Sequence, residues 1–97
     1  AGAWAKIEAV ILKNDPWCRG VVLLGLEAPP DELEAAFAAT AKAPIVKGFA
    51  VGRTIFINAA EQWLAGKMSD EEAVADMASR FERLTEAWLA ARGRKAA

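Results

Sequence analysis

The segment Ile45-Val46-Lys47-Gly48-Phe49-Ala50-Val51-Gly52-Arg53-Thr54-Ile55-Phe56 restricts the fold more than any other stretch of this chain. It reads as a strand over 45–51 that ends in a glycine turn and opens into a helical segment. A second apolar run, Val21-Val22-Leu23-Leu24, begins after Gly20 and ends at Gly25. Continuous rather than alternating apolarity suits strands buried on both faces, as in a parallel sheet. Two parallel strands leave unpaired edges on either side and cannot cover both faces of a sheet, so neighbours must come from somewhere. A second copy of the chain, in a homo-oligomer, or further strands of the same polypeptide would supply them.

The rest of the chain reads as helices. Trp4, Ile7, Val10 and Ile11 recur at helical spacing and predict a helix over 3–13. Asn14-Asp15-Pro16 stops it, because the residue before proline is driven out of the helical region. After a strand over 20–25, Pro29-Pro30-Asp31-Glu32 starts a helix over 30–42, with proline in its first turn and acids facing the positive end of the dipole. Leu33, Ala36, Phe37 and Thr40 form its inward stripe. Asn58 is expected to cap a short helix over 58–65, with Gly66 as its stop. Ser69-Asp70-Glu71-Glu72 is a capping box that opens a long helix over 70–92. Its Val74, Met77, Phe81, Leu84 and Trp88 share one face, which is expected to pack on the sheet and neighbouring helices.

The chain has 97 residues and a net charge of −1, which gives no electrostatic case for nucleic acid or an anionic membrane surface. It contains no histidine, which removes the commonest general base and the Ser-His and Cys-His pairs. Its one cysteine, Cys18, rules out an internal disulfide. No metal or cofactor is expected from the residue types present. No apolar run approaches the ~20 residues of a membrane span, and a cytoplasmic setting is the expectation. The basic run Arg92-Gly93-Arg94-Lys95 reads as a solvated tail.

Anion chemistry centres on the second glycine turn. Gly52 lets a phosphate approach the main chain because no Cβ blocks it. The amides of Gly52, Arg53 and Thr54 would point at the anion, and a helix start adds a favourable dipole. Arg53 would offer a charged fork and Thr54 a hydroxyl. The competing reading is a glycine turn with Arg53 in a salt bridge. Gly25 would sit in the loop beside this one, together with Leu26 and Glu27. A carboxylate beside a bound phosphate is unfavourable unless it points away, so Glu27 reads as a solvated acid. Lys47 lies near the start of its strand and reads as a structural ion-pair or snorkelling position. Cys18 reads as a turn residue. Trp4, Trp17, Trp63 and Trp88 read as core or interface anchors.

Asp15-Pro16-Trp17-Cys18-Arg19-Gly20-Val21-Val22-Leu23-Leu24-Gly25 and Val46 through Phe56 resemble the end of the aldolase-like domain of bacterial myo-inositol catabolism. That domain is fused behind a ribokinase-like kinase, 5-dehydro-2-deoxygluconokinase. Trp63-Leu64-Ala65-Gly66 and Ser69-Asp70-Glu71-Glu72-Ala73 fit the same pattern, so the resemblance spans nearly the whole chain. The turn Val51 to Phe56 also resembles the last-strand phosphate turn of class I aldolases. The resemblance implies an α/β fold in which this chain supplies the last two βα units of a class I aldolase-like TIM barrel, ending in a long C-terminal helix. It further implies a sugar-phosphate ligand gripped by Gly52 and Arg53 with Gly25 as a neighbour, and carbon–carbon cleavage of a phosphorylated 2-deoxy-5-keto-gluconate. The Schiff-base lysine, the rest of the barrel and the kinase would lie upstream. A structural or oligomerisation module with a degenerate site is the alternative.

Overall fold

A computed structural model describes residues 2–93, and the tail residues Arg94 and Lys95 lie outside them. The elements run α1 (Gly2–Asn14), β1 (Val21–Leu24), α2 (Pro30–Ala39), β2 (Val46–Ala50), α3 (Arg53–Leu64) and α4 (Asp70–Ala91). β1 and β2 pair in parallel, with Val21 opposite Val46 and Leu24 opposite Ala50. An irregularity between Val21 and Val22 shifts the register by one residue in β2. The ladder continues past the strands through the Gly25 N–H, which donates to the Ala50 carbonyl at 2.9 Å.

The partial-barrel expectation is corrected here. The described residues form a small, mostly helical α/β domain of four helices and a two-stranded parallel sheet. Two strands cannot curve round to close on themselves, and the helices that pack on this sheet do so from one side. The βαβ reading itself stands, because β1, α2 and β2 follow one another with β1 parallel to β2.

Core packing follows from the stripes on α2 and α4. Leu33 and Phe37 of α2 and Leu84 of α4 are buried, and Leu23, Phe49 and Val51 of the sheet side pack against them. Phe37 is the hub: its ring centroid lies 4.8 Å from that of Phe49 and 5.4 Å from that of Trp88, the latter edge-on. Such tilted and edge-to-face pairs add to the area term of burial. Arg83 ties the same two helices at their surface, 2.7 Å from Glu34 and 3.1 Å from Asp31.

The helix ends explain two differences from the sequence expectations. Thr40, expected on the inward stripe, is fully buried but serves as the C-cap of α2, which therefore ends near 39 and not 42. Arg92 donates from its Nη2 to the carbonyls of Thr40 and Val46 and lies over Trp88, its Cζ 3.4 Å from the ring centroid. It thereby ties the end of α4 to the end of α2 and the start of β2.

α3 starts at Arg53, five residues before the expected start. Asn58 is then an interior helical residue, and its amide donates to the Asp76 carboxylate on α4 at 3.3 Å. The first turn is nucleated by the Gly52 carbonyl, which accepts from the amides of Ile55 and Phe56. α4 opens on the expected capping box: the Glu72 amide donates to Ser69 Oγ at 3.1 Å, and the Ser69 amide donates to the Glu72 carboxylate at 3.0 Å.

Candidate functional site at the strand ends

Both strands end at the same rim, and the loops leaving them touch. Thr54 Oγ1, in the first turn of α3, donates to the Ala28 carbonyl at 2.9 Å. That bond holds the β1–α2 loop against the start of α3. Thr54 is thus brought to the site, but its hydroxyl is committed to the fold. Arg53 reaches across the same gap to Glu27, with Nη1 and Oε1 2.7 Å apart. Both side chains are at least half exposed, at 50% and 63%.

The two glycines play different parts. Gly25 has an unexceptional φ, and its requirement is space: a Cβ there would run into Val51 Cγ1 and stand 3.4 Å from Leu33 Cδ1. Gly25 therefore lets the rim close over the core. Gly52 heads α3 with no side-chain cap at its N-terminus. A Cβ at Gly52 would meet Phe56 Cε2 at 3.3 Å, a tight but yielding contact.

Leu24, Leu26, Ala50, Val51, Gly52, Arg53 and Phe56 line an open depression of about 440 Å³ at this rim. Gly52 and Arg53 are among its lining residues, and Glu27 is drawn in as the partner of Arg53. The apolar lining by Leu26 and Phe56 had no sequence signal. Leu26 holds a left-handed backbone, with φ 52°, which a leucine adopts at a cost of about 1–2 kcal/mol. Such strain, at a loop tip beside a depression, is a common mark of functional turns.

The remaining candidates lie away from the rim. The Lys47 stem lies where a Cβ on Gly20 would be, at the opposite end of the strands, which fits its structural reading. Cys18 is half-buried, with Sγ 3.7 Å from the Gly20 carbonyl oxygen. Trp88 belongs to the core, whereas Trp17 is 82% exposed. Trp63 closes one end of an apolar groove between α3 and α4, its indole N–H donating to Asp70 at 2.7 Å. Among the described residues no group of three or more His, Cys, Asp or Glu side chains could hold a metal ion. No described helix is long and apolar enough to cross a membrane.

Residues 1–92 match the family described as "Uncharacterized protein conserved in bacteria (DUF2090)", and the chain belongs to that family. No curated protein and no solved structure matches the chain.

Proposed function

We propose that this DUF2090 chain is the sugar-phosphate-holding part of a bacterial myo-inositol catabolism protein. In this reading the parent is a 5-dehydro-2-deoxygluconokinase with an aldolase-like activity. The Gly52–Arg53 turn grips the phosphoryl group during carbon–carbon cleavage of a phosphorylated 2-deoxy-5-keto-gluconate. The carbon chain of the ligand lies over Leu24, Leu26 and Phe56, and the groups that break the bond come from the parent protein.

One observation carries the reading. A half-exposed guanidinium stands at the mouth of the rim depression, beside a helix start that no side chain caps. Uncapped first-turn amides and a positive dipole end favour an anion there. Glu27 occupies Arg53, but an exposed ion pair of this kind is worth only about 0–1 kcal/mol. Charge-assisted hydrogen bonds from a phosphate dianion are worth about 1.5–3 kcal/mol. The dianion therefore displaces Glu27, which turns outward to solvent.

Calorimetric titration with dihydroxyacetone phosphate and with inorganic phosphate tests this. Arg53→Ala should weaken binding of both about tenfold or more, the equivalent of one charge-assisted contact. Glu27→Gln should tighten it by freeing the guanidinium. Affinity untouched by Arg53→Ala would sink the proposal.

A further inference from the structure

A groove of about 410 Å³ lies between α3 and α4, and neither Gly52 nor Arg53 lines it. Each helix gives it one stripe at positions i, i+3, i+4 and i+7, from Phe56 to Trp63 on α3 and from Asp70 to Met77 on α4. Alanines make the floor: Ala59 and Ala73 are buried and Ala60 is half-buried. Trp63 and Val74 stand beside them, 49% and 61% exposed. Small residues between large ones leave room that the described residues do not fill.

The groove is polar at one end only. There the Trp63 indole N–H donates to Asp70 Oδ1 at 2.7 Å. A carboxylate offers about four acceptor positions, so this bond orients Asp70 and leaves capacity for a donor in the groove. Asp70 is the one ionisable residue among those lining the groove, and no lysine or arginine is with it. Glu71 and Glu72 follow in the same helical turn. An anion would therefore meet negative charge with no counter-charge. A cation would meet a carboxylate beside an indole, the aromatic ring that attracts cations best. Ligand sites are commonly of this kind: about 300–1,000 Å³, with apolar and aromatic walls and a few placed polar groups.

We infer that this groove binds a small amphiphilic organic cation, an amine with a short hydrocarbon body. Its ammonium group sits on Asp70 beside Trp63, and its body lies over Ala59, Ala60 and Ala73 as far as Val74. From Asp70 to Val74 is four residues, or about 6 Å along the helix, the reach of a short alkyl chain. Phe56 lines both this groove and the rim depression, but the amine ends short of it and leaves the ring to the rim. The inference does not depend on anion binding at Gly52 and Arg53.

Calorimetric titration of the full chain with n-hexylamine, n-hexanol and hexanoate tests this. The amine should bind saturably and about tenfold more tightly than the alcohol, the low end of what a hydrogen bond to a charged group adds. Hexanoate should not bind detectably. Asp70→Asn keeps an acceptor for Trp63 but removes the charge, so it should erase the preference for the amine. Ala60→Leu raises the floor and should weaken amine and alcohol alike about tenfold, with an unchanged far-ultraviolet circular dichroism spectrum. Arg53→Ala should leave hexylamine affinity unchanged, which separates this site from the rim. Equal binding of amine and hexanoate would overturn the inference, as would a preference that survives Asp70→Asn or an affinity that Ala60→Leu leaves intact. So would the absence of saturable amine binding, which would leave the groove to a partner helix. If Ala60→Leu fails to fold, the wild-type chain reads the same site through the Trp63 indole N–H resonance, identified by its loss in Trp63→Phe. That resonance should shift with hexylamine and stay in place with hexanoate, and one that the amine does not move would overturn the inference.

Discussion

α4 and α1 carry the same kind of apolar spacing and end in opposite situations. α4 begins on a capping box, buries Ala73 and Leu84, and packs against α2 and α3. α1 has no acidic residue in its first turn and buries nothing. Its Glu8 Oε2 accepts from the Ile45 amide at 3.1 Å, which links the helix to the body. Trp4 and Glu8 face the Ala38 to Pro44 segment, while Ile7 and Val10 face outward, 42% and 60% exposed. The lesson is that periodicity shows which side of a helix seeks cover. Whether cover exists depends on what surface lies within reach. α4 meets the sheet and α2, and the outer side of α1, with Ile7 and Val10, is exposed among the described residues.

The sharpest way to break that contrast is at the core. Phe37→Ala removes a side chain with no exposure that touches Phe49 and Trp88. It should cost about 3–5 kcal/mol in urea unfolding, whereas Val10→Ala on α1 should stay within about 0.5 kcal/mol. A Val10→Ala loss as large as the Phe37→Ala loss would show that α1 is packed in solution and erase the difference.

The two glycine turns give the next largest effect. Gly25→Ala forces Val51 to move beside the buried Leu33 and should cost about 1–3 kcal/mol. Gly52→Ala needs only a small shift of the half-exposed Phe56 ring and should cost clearly less. Equal thermal shifts would mean that Val51 yields as easily as Phe56.

The α4 cap comes third. Ser69→Ala should cost about 1 kcal/mol at neutral pH. The Ser69 amide and hydroxyl hold the Glu72 carboxyl below its ordinary value of 4.5. The Arg80 hydrogen bond holds Asp76 below 3.8, against the opposing effect of burial. A lowered carboxyl pKa stabilises the fold above the unfolded value, and that contribution is lost as pH falls through the folded value. The melting-temperature gap between wild type and Ser69→Ala should therefore narrow below about pH 4. A gap that is constant from neutral pH to below both folded values would remove Glu72 from the account.

The smallest effect is at the rim. Leu26→Gly relieves a left-handed leucine but adds freedom to the unfolded chain, so it should stabilise by only about 0.5 kcal/mol. A loss of stability on this substitution would mean that Leu26 packs against a surface this chain does not contain, which would sharpen the contrast between the covered and open faces.

Much of the local structure was legible in the sequence because its causes are local. Pro16 and the pair Pro29-Pro30 bracket the first strand, and Ser69 with Glu72 fixes the start of α4 to the residue. Asn58 misled because an asparagine looks alike as a cap and as an interior residue. Its amide bonds Asp76, 18 positions away, and no local pattern reports that. The strands were read as buried on both faces from their unbroken apolarity, but one face is open, because burial depends on neighbours and the strand's own composition does not provide them. At the rim, Gly52 and Arg53 stood out by residue type. The Glu27 partnership, the strained Leu26 and the commitment of Thr54 to Ala28 join the β1–α2 loop to the start of α3 and appear only when the chain is folded.

The sequence by itself determined the order and type of the helices and strands, though not where α3 starts or α2 ends, and that Gly52 and Arg53 stand at a strand end. Only the tertiary structure decided that the two strands make a two-stranded sheet covered on one face, that Glu27 holds Arg53, and that α1 stands off the core. The first set depends on contacts a few residues apart, which backbone sterics and capping impose on any chain with this order of residues. The second depends on which surfaces meet across tens of residues, and an apolar stripe states the need for a partner without naming one.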